Sequence, residues 1–376
     1  MPGDAPRLIA GSRPAPGAYD ADIVILCLER PAETCAAIRS ALAQRGGVFH
    51  VSVLDQNSSL ETIRALTTAF ANAPRFALYR AAQNLGVGGG RNFLGACGHG
   101  RIIVGLDNDA VFHDPWTVAG ALKIFLRRPE LGALGFNILS ADGAAPDLAS
   151  WGYPRLLQPK FREKFDTTTF VGAGHAIRRA TWQAVGGYDP SLFFTWEEYD
   201  FCLAAISRQW RIAYDGSLAV RHSGAAMARI GWDGTRMTAY VRNRLLISRK
   251  WGLSWGALAP RICAYALRGA VNGCLPATLT GIAQAWRAKT PRGRPMPKAM
   301  RAYVSAHETR HRGSWFDRLR LEVLSKVGKG FFFEKKKQKT FFTLGRACVS
   351  ATGPISKKFL RRFFQKAASF FAIASG

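Results

Sequence analysis

The chain has 376 residues, 48% of them hydrophobic, enough to bury the core of a catalytic α/β domain of about 250 residues and to carry a helical extension. Its formal charge of +27 is uneven, because 24 of the 52 Lys and Arg but only 4 of the 25 Asp and Glu lie after residue 250; that basic end, mixed with Phe, Trp and Leu, suits anionic lipid better than nucleic acid. The seven cysteines (Cys27, Cys35, Cys97, Cys202, Cys263, Cys274 and Cys348) show no Cys-x-x-Cys spacing and the start has no apolar run, which argues against a disulfide scaffold, a structural zinc site and a secretory signal and for a reducing cytoplasm.

In chain order, short β-rich runs alternate with helical patterns, which predicts a mainly parallel sheet. Residues 23–28 read as a buried strand, and Pro31 opens a helix with Ala37, Ile38, Ala41 and Leu42 on one face. A strand over 49–54 ends in Asp55-Gln56-Asn57-Ser58-Ser59, a turn-forming cluster that caps a helix over 60–71. Residues 76–79 and 101–106 are the third and fourth strands. Between them, Asn84-Leu85-Gly86-Val87-Gly88-Gly89-Gly90-Arg91-Asn92 carries four glycines, read as a backbone that lets a ligand approach before a helix begins; it is neither a Walker loop nor a Gly-x-Gly-x-x-Gly fingerprint. Asp107-Asn108-Asp109 follows the fourth strand at its carboxyl end, where open α/β sheets bind ligands.

Further along, 170–174 reads as a strand reaching the site, 182–189 as a loop, 198–208 as a helix, and 211–214 and 218–221 as two short strands, the second running into His222. A helix over 235–250 closes the catalytic part. The apolar stretch 255–286 is broken by Arg261, Arg268, Asn272 and Pro276, a poor spanning helix and a fair interfacial one. The chain thus divides into a flexible start (1–21), a catalytic domain (22–250), a basic amphipathic helical region (251–330) and a basic, aromatic tail (331–376). That tail has the make-up of a helix lying on anionic lipid, and its shift in composition equally fits a disordered extension.

Two carboxylates one residue apart, Asp107 and Asp109, suit Mn2+ or Mg2+, whose remaining positions take diphosphate oxygens. By itself the tripeptide also reads as a turn with an Asx cap. Its company is Gly186-Gly187-Tyr188-Asp189-Pro190, then Glu197-Glu198-Tyr199-Asp200, then Val220-Arg221-His222. Over 23–249 this set resembles the family-2 glycosyltransferases, including rhamnosyltransferase-like members.

The resemblance implies a GT-A fold, an α/β architecture with a mainly parallel nucleotide-binding sheet flanked by helices, here with a basic helical C-terminal extension. It also implies inverting transfer of a sugar, by a hexosyltransferase-class enzyme, from a UDP or dTDP sugar to a hydroxyl of a polysaccharide or lipid-linked glycan. By that likeness Asp55 and Asn57 contact the base, while Asn84, Gly86, Gly90, Arg91 and Asn92 belong to the donor-binding segment. Asp109 and His222 ligate the metal, with Asp107 holding the ribose, a metal-bound water or the metal itself. Glu198 is the base that deprotonates the acceptor, Glu197 the reserve candidate, and Asp200 braces the loop or caps its helix. Departures are Leu26-Cys27-Leu28-Glu29-Arg30 in place of a Thr-Tyr-Asn-like segment, Glu198 one methylene longer than the usual Asp, and His175 at a commonly apolar position. Expected partners are the nucleotide sugar, the glycan acceptor and an anionic membrane surface on the cytoplasmic face, with no nucleic acid. The rivals are a catalytically silent glycan- or lipid-binding protein and a metal-dependent nucleotidyltransferase.

Overall fold

The computed structural model describes residues 5–223, 234–288 and 292–313. Among them the order is β1 (Arg7–Gly11), β2 (Ala21–Cys27), α1 (Pro31–Leu42), β3 (Phe49–Asp55), α2 (Leu60–Phe70), β4 (Phe76–Arg80), α3 (Gly86–Cys97), β5 (Ile102–Asp107), β6 (Ala110–Phe112), α4 (Thr117–Arg127), β7 (Leu131–Leu139), β8 (Lys164–Thr167), β9 (Gly174–Arg178), α5 (Arg179–Val185), α6 (Glu197–Ser207), β10 (Arg211–His222), α7 (Gly234–Lys250), α8 (Trp255–Val271), α9 (Leu275–Arg287) and α10 (Lys298–His307).

The strands form a single mixed sheet in the order β1-β4-β3-β2-β5-β9-β7-β10-β6, with β8 also on β10. β4, β3, β2 and β5 are mutually parallel, so the carboxyl ends of β3 and β5, and with them Asp55 and Asp107, emerge on one edge. β2, β3 and β5 are buried along nearly their whole length, as a sheet covered on both faces requires, and their Ile, Val and Leu pack against Ala37, Ile38, Ala41 and Leu66 of the helices.

Several sequence expectations change. The start, taken as flexible, contributes β1, an antiparallel edge strand on β4. The strand expected over 170–174 is shifted, since only Gly174–Arg178 pairs, antiparallel to β5 and β7. The two expected strands over 211–221 are one strand, β10, with a register break between Asp215 and Ala219. Of the expected loop over 182–189, the first part is α5. Among the described residues after 250, Tyr303 of α10 brackets Ile212 of β10, its hydroxyl 3.0 Å from the Ile212 nitrogen and 2.9 Å from its carbonyl, so α10 packs on the sheet. Among the described residues no helix is long and apolar enough to cross a membrane. The expectations for the tail fall outside the described residues.

Candidate active site

The β10 register explains the first cluster. His222 pairs with Ala110 on β6 and the Ser223 amide donates to the Asp109 carbonyl at 2.7 Å, so a histidine 113 positions downstream meets the Asp-x-Asp turn. His222 Nε2 lies 3.0 Å from Asp109 Oδ1, and its Nδ1 lies 3.2 Å from both Asp147 Oδ2 and Ser150 Oγ. The carboxylate behind Nδ1 fixes the ring and turns Nε2 inward, the arrangement that orients imidazole ligands of metals. One ligand atom each from Asp107, Asp109 and His222 lies within 4.8 Å of the others. Two carboxylates and an imidazole suit a hard or borderline cation such as Mn2+ or Mg2+, so the residues present fit the expected group.

A second cluster is tied to the first by Arg91. Its guanidinium, buried beneath the site, donates to Asp107 Oδ1 at 3.0 Å, to Glu198 Oε1 at 2.7 Å and to the Gly172 carbonyl at 2.9 Å. Burial opposes its charge, but Tyr188, Glu198 and Asp107 outweigh that, and its pKa is raised. Glycine at 172 leaves room for this pair, because a Cβ there would come within 2.4 Å of Glu198 Oε1 and 2.9 Å of Arg91 Nη2.

The loop that delivers Glu198 is strained. Phe193, Thr195 and Trp196 all have positive φ (57°, 71° and 69°), a state costing on the order of 1–3 kcal/mol per residue. Asn243 of α7, fully buried, holds it, its amide nitrogen lying 2.7–3.0 Å from the carbonyls of Leu192, Phe194 and Thr195. Trp196 Nε1 donates to the Tyr240 carbonyl at 3.1 Å, and Lys250 pairs with Asp200 at 2.7 Å. Asp200 therefore braces α6 against α7.

The two neighbouring glutamates differ sharply. Glu198 lines a cavity of about 260 Å³ together with Tyr153, Thr168, Trp196, Tyr199 and Glu308. Glu197 is 3% exposed, its Oε2 has no hydrogen-bond partner, and burial followed by the adjacent Glu198 charge raises its pKa well above the carboxylate range. It does not line the cavity, whereas Glu198 does.

Other sequence candidates are put to structural use. Asp55, at the end of β3 and fully buried, accepts from the Ser58 amide and faces Arg80 Nε at 3.6 Å. Asn57 sits exposed at a positive φ of 69° in that turn. The four glycines, expected to admit a ligand, form the first turns of α3 and pack against protein. A Cβ on Gly86 would reach 2.5 Å from the Phe193 carbonyl, and one on Gly90 would reach 2.8 Å from Leu26. Asn84 accepts from the Gly86 amide at 2.8 Å, and Asn92 exchanges two 2.8 Å hydrogen bonds with the Tyr188 backbone. Gly86 and Asn92 thereby dock α3 on the Tyr188–Phe193 segment, while Gly90 lets it pack on β2. His175 stacks on Phe170 at 4.3 Å under the site, and burial, with Arg91 nearby, lowers its pKa well below the usual histidine value. It packs in the interior.

Sequence reasoning missed Asp147, Asn243 and Arg30. Asp147 and Asn243 act on residues about 50 or more positions away, with no local pattern to mark them. Arg30 carries a local signal in the departing first-strand segment.

An α/β sheet that gathers two carboxylates and a histidine at its carboxyl edge, beside a second acidic residue over a cavity, is the plan of a GT-A domain. Residues 22–183 match the sequence profile described as glycosyl transferase family 2. An uncharacterized Haemophilus influenzae protein is 28% identical over 161 residues, 42% of this chain and 85% of that one. Similar structures are the Pyrobaculum calidifontis mannosyltransferase PcManGT in complex with GDP-Man and Mn2+ (TM-score 0.50, 16% identity, 86% of this chain and 88% of that one) and GalNAc-T7 with UDP, GalNAc and Mn2+ (0.53, 14%, 77% and 58%). A third is S. aureus TarS 1–349 with UDP-GlcNAc (0.50, 14%, 81% and 91%). At these identities the likeness is one of fold.

Proposed function

We infer that the chain transfers a sugar from a UDP- or dTDP-sugar to an acceptor hydroxyl with inversion, aided by a divalent cation. The observation that carries this reading is the single buried guanidinium of Arg91 joining the Asp107, Asp109 and His222 cluster to Glu198. Asp107, Asp109 and His222 would hold Mn2+ or Mg2+, which would supply positive charge against the negative charge that builds on a departing diphosphate. Glu198, facing the cavity, takes the proton of the acceptor hydroxyl as that oxygen bonds to the anomeric carbon and the bond from that carbon to the diphosphate breaks. Arg91 positions the Glu198 carboxylate, and Tyr153, Trp196 and Tyr199 line the cavity that would receive the acceptor. Relatives in fold bind GDP-Man, UDP-GlcNAc, or UDP and GalNAc, which supports a nucleotide-sugar donor.

Thermal unfolding with UDP, dTDP, GDP and CMP, each with and without Mn2+, tests this. A ligand that binds only the folded state stabilises it by about 2.7 kcal/mol at a hundred times its Kd. The expected result is a rise with UDP or dTDP that requires Mn2+. No rise with any of the four overturns the reading in favour of a silent binding protein.

The acceptor is proposed to be a surface polysaccharide or lipid-linked glycan at the cytoplasmic membrane face. Support comes from α9, which carries the exposed Leu279 (50%) and Trp286 (63%) and ends in Arg287, with Trp286 packing on Trp255 of α8 at 4.7 Å. Flotation with anionic but not neutral vesicles is expected, and equal flotation with both removes the electrostatic part of the reading.

A further inference from the structure

We propose that Arg30 is an internal cation of the donor site: it competes with the divalent cation for Asp109 and, once displaced, is released toward the diphosphate. This rests on reading Asp107, Asp109 and His222 as a metal site and assigns a role to a residue outside that set. Arg30 Nη1 lies 2.7 Å from Asp109 Oδ2, while His222 holds the other oxygen of the same carboxylate. A guanidinium and a divalent ion on one carboxylate oxygen repel each other, so occupation by one weakens the other.

The backbone shows how Arg30 is aimed. Glu29 and Arg30 both have φ of 57°, two consecutive side-chain-bearing residues in the left-handed region. Glu29 is anchored there, accepting from the Ser59 amide at 2.7 Å, the Ser59 hydroxyl at 2.9 Å and the Thr62 hydroxyl at 2.8 Å. That anchor fixes the turn after β2 and throws the next side chain across to Asp109. Arg30 begins α1 without capping it through its side chain, so helix formation does not explain its position. The guanidinium stays 39% exposed, free to swing a short way once a stronger cation takes the carboxylate, and a negative diphosphate arriving with that cation receives it.

The test uses the full chain with MnCl2 and UDP as probes. Mn2+ affinity is read from loss of the free-ion paramagnetic resonance signal without nucleotide, and UDP affinity by calorimetry at saturating Mn2+. Arg30→Ala removes the charge; Arg30→Gly does so while relieving the positive φ, so a fold defect is not shared by both. Both are expected to bind Mn2+ about three- to fivefold more tightly and UDP about threefold more weakly, with Arg30→Lys near wild type in each. Mn2+ binding that is unchanged or weaker in a variant melting at the wild-type temperature overturns the competition, and unchanged UDP affinity overturns the release. Wild-type chain that binds no Mn2+ sinks the metal-site reading itself, a failure seen before any variant is made.

Discussion

The two sides of the site are built differently. The proposed donor side stands on the ends of the parallel strands β3 and β5, on either side of β2, where Asp55 and Asp107 are carried by buried β-structure and short turns. The proposed acceptor side is gathered from Thr168, Glu198, Tyr199 and Glu308, spread over 140 positions and held by a strained loop, by α7 and by the turn after α10. A metal and diphosphate place similar demands wherever they bind, so rigid strand ends serve; an acceptor pocket assembled from distant segments can change with the acceptor while the donor side stays as it is.

The largest effect is expected at Arg91, which alone among the described residues hydrogen-bonds to both Asp107 and Glu198. Arg91→Met leaves the Asp107 and Glu198 carboxylates without their buried partner, and a loss of about 3–5 kcal/mol in urea unfolding is expected together with loss of transfer. A stability change below about 1 kcal/mol would mean that the sides are not joined there.

Asp109→Ala acts on the donor side alone. The Mn2+-dependent rise in melting temperature with UDP should vanish, a difference of about 2.7 kcal/mol at a hundredfold excess over Kd, while stability without ligand changes little.

Glu308→Ala is the matching break on the acceptor side. Glu308 accepts from Thr168 at 2.7 Å and from Tyr199 at 3.2 Å, and its loss leaves two buried hydroxyls unmatched, worth about 1–3 kcal/mol. The UDP and Mn2+ response should survive in that variant; if it disappears with Glu308, the division into two sides is wrong. Gly172→Ala sharpens the same line by pushing a methyl at Glu198 and Arg91, with an overpacking cost of about 1–3 kcal/mol and slower transfer at unchanged UDP affinity.

The smallest effect is expected from Glu197→Gln, and it has a sign. The folded pKa of Glu197 is raised by burial and by the Glu198 charge, so above the ordinary carboxyl pKa the folded state holds a proton that the unfolded state releases. Wild-type stability from this group is therefore full at acid pH and lost as pH climbs toward the folded pKa. Melting curves from pH 4 to 9 should show Gln matching wild type at the acid end and gaining on it with rising pH; parallel curves would place an ionised Glu197 in contact with solvent.

The parallel half of the sheet was readable in the sequence because its signals are local. Apolar runs give β2, β3, β4 and β5, Ser59 does cap α2 by accepting from the Thr62 amide at 3.3 Å, and Asp107 to Asp109 fall just past a strand. The glycine segment was located, and the structure adds that Gly86 and Gly90 also let α3 pack closely on Phe193 and Leu26, which local sequence does not reveal. β1, β6, β7, β8 and α4 were missed; β6 and β8 are short strands whose existence depends on their partner β10.

By itself the sequence determined the fold class and the strand-end acidic turn, since these depend on periodicity and on chemistry within a few positions. Only the tertiary structure decided that His222 reaches Asp109, that Arg91 spans to Glu198 and that Glu197 is buried while Glu198 faces a cavity. Those outcomes depend on strand register and helix docking between segments up to 113 positions apart, which side-chain packing sets and local pattern does not carry.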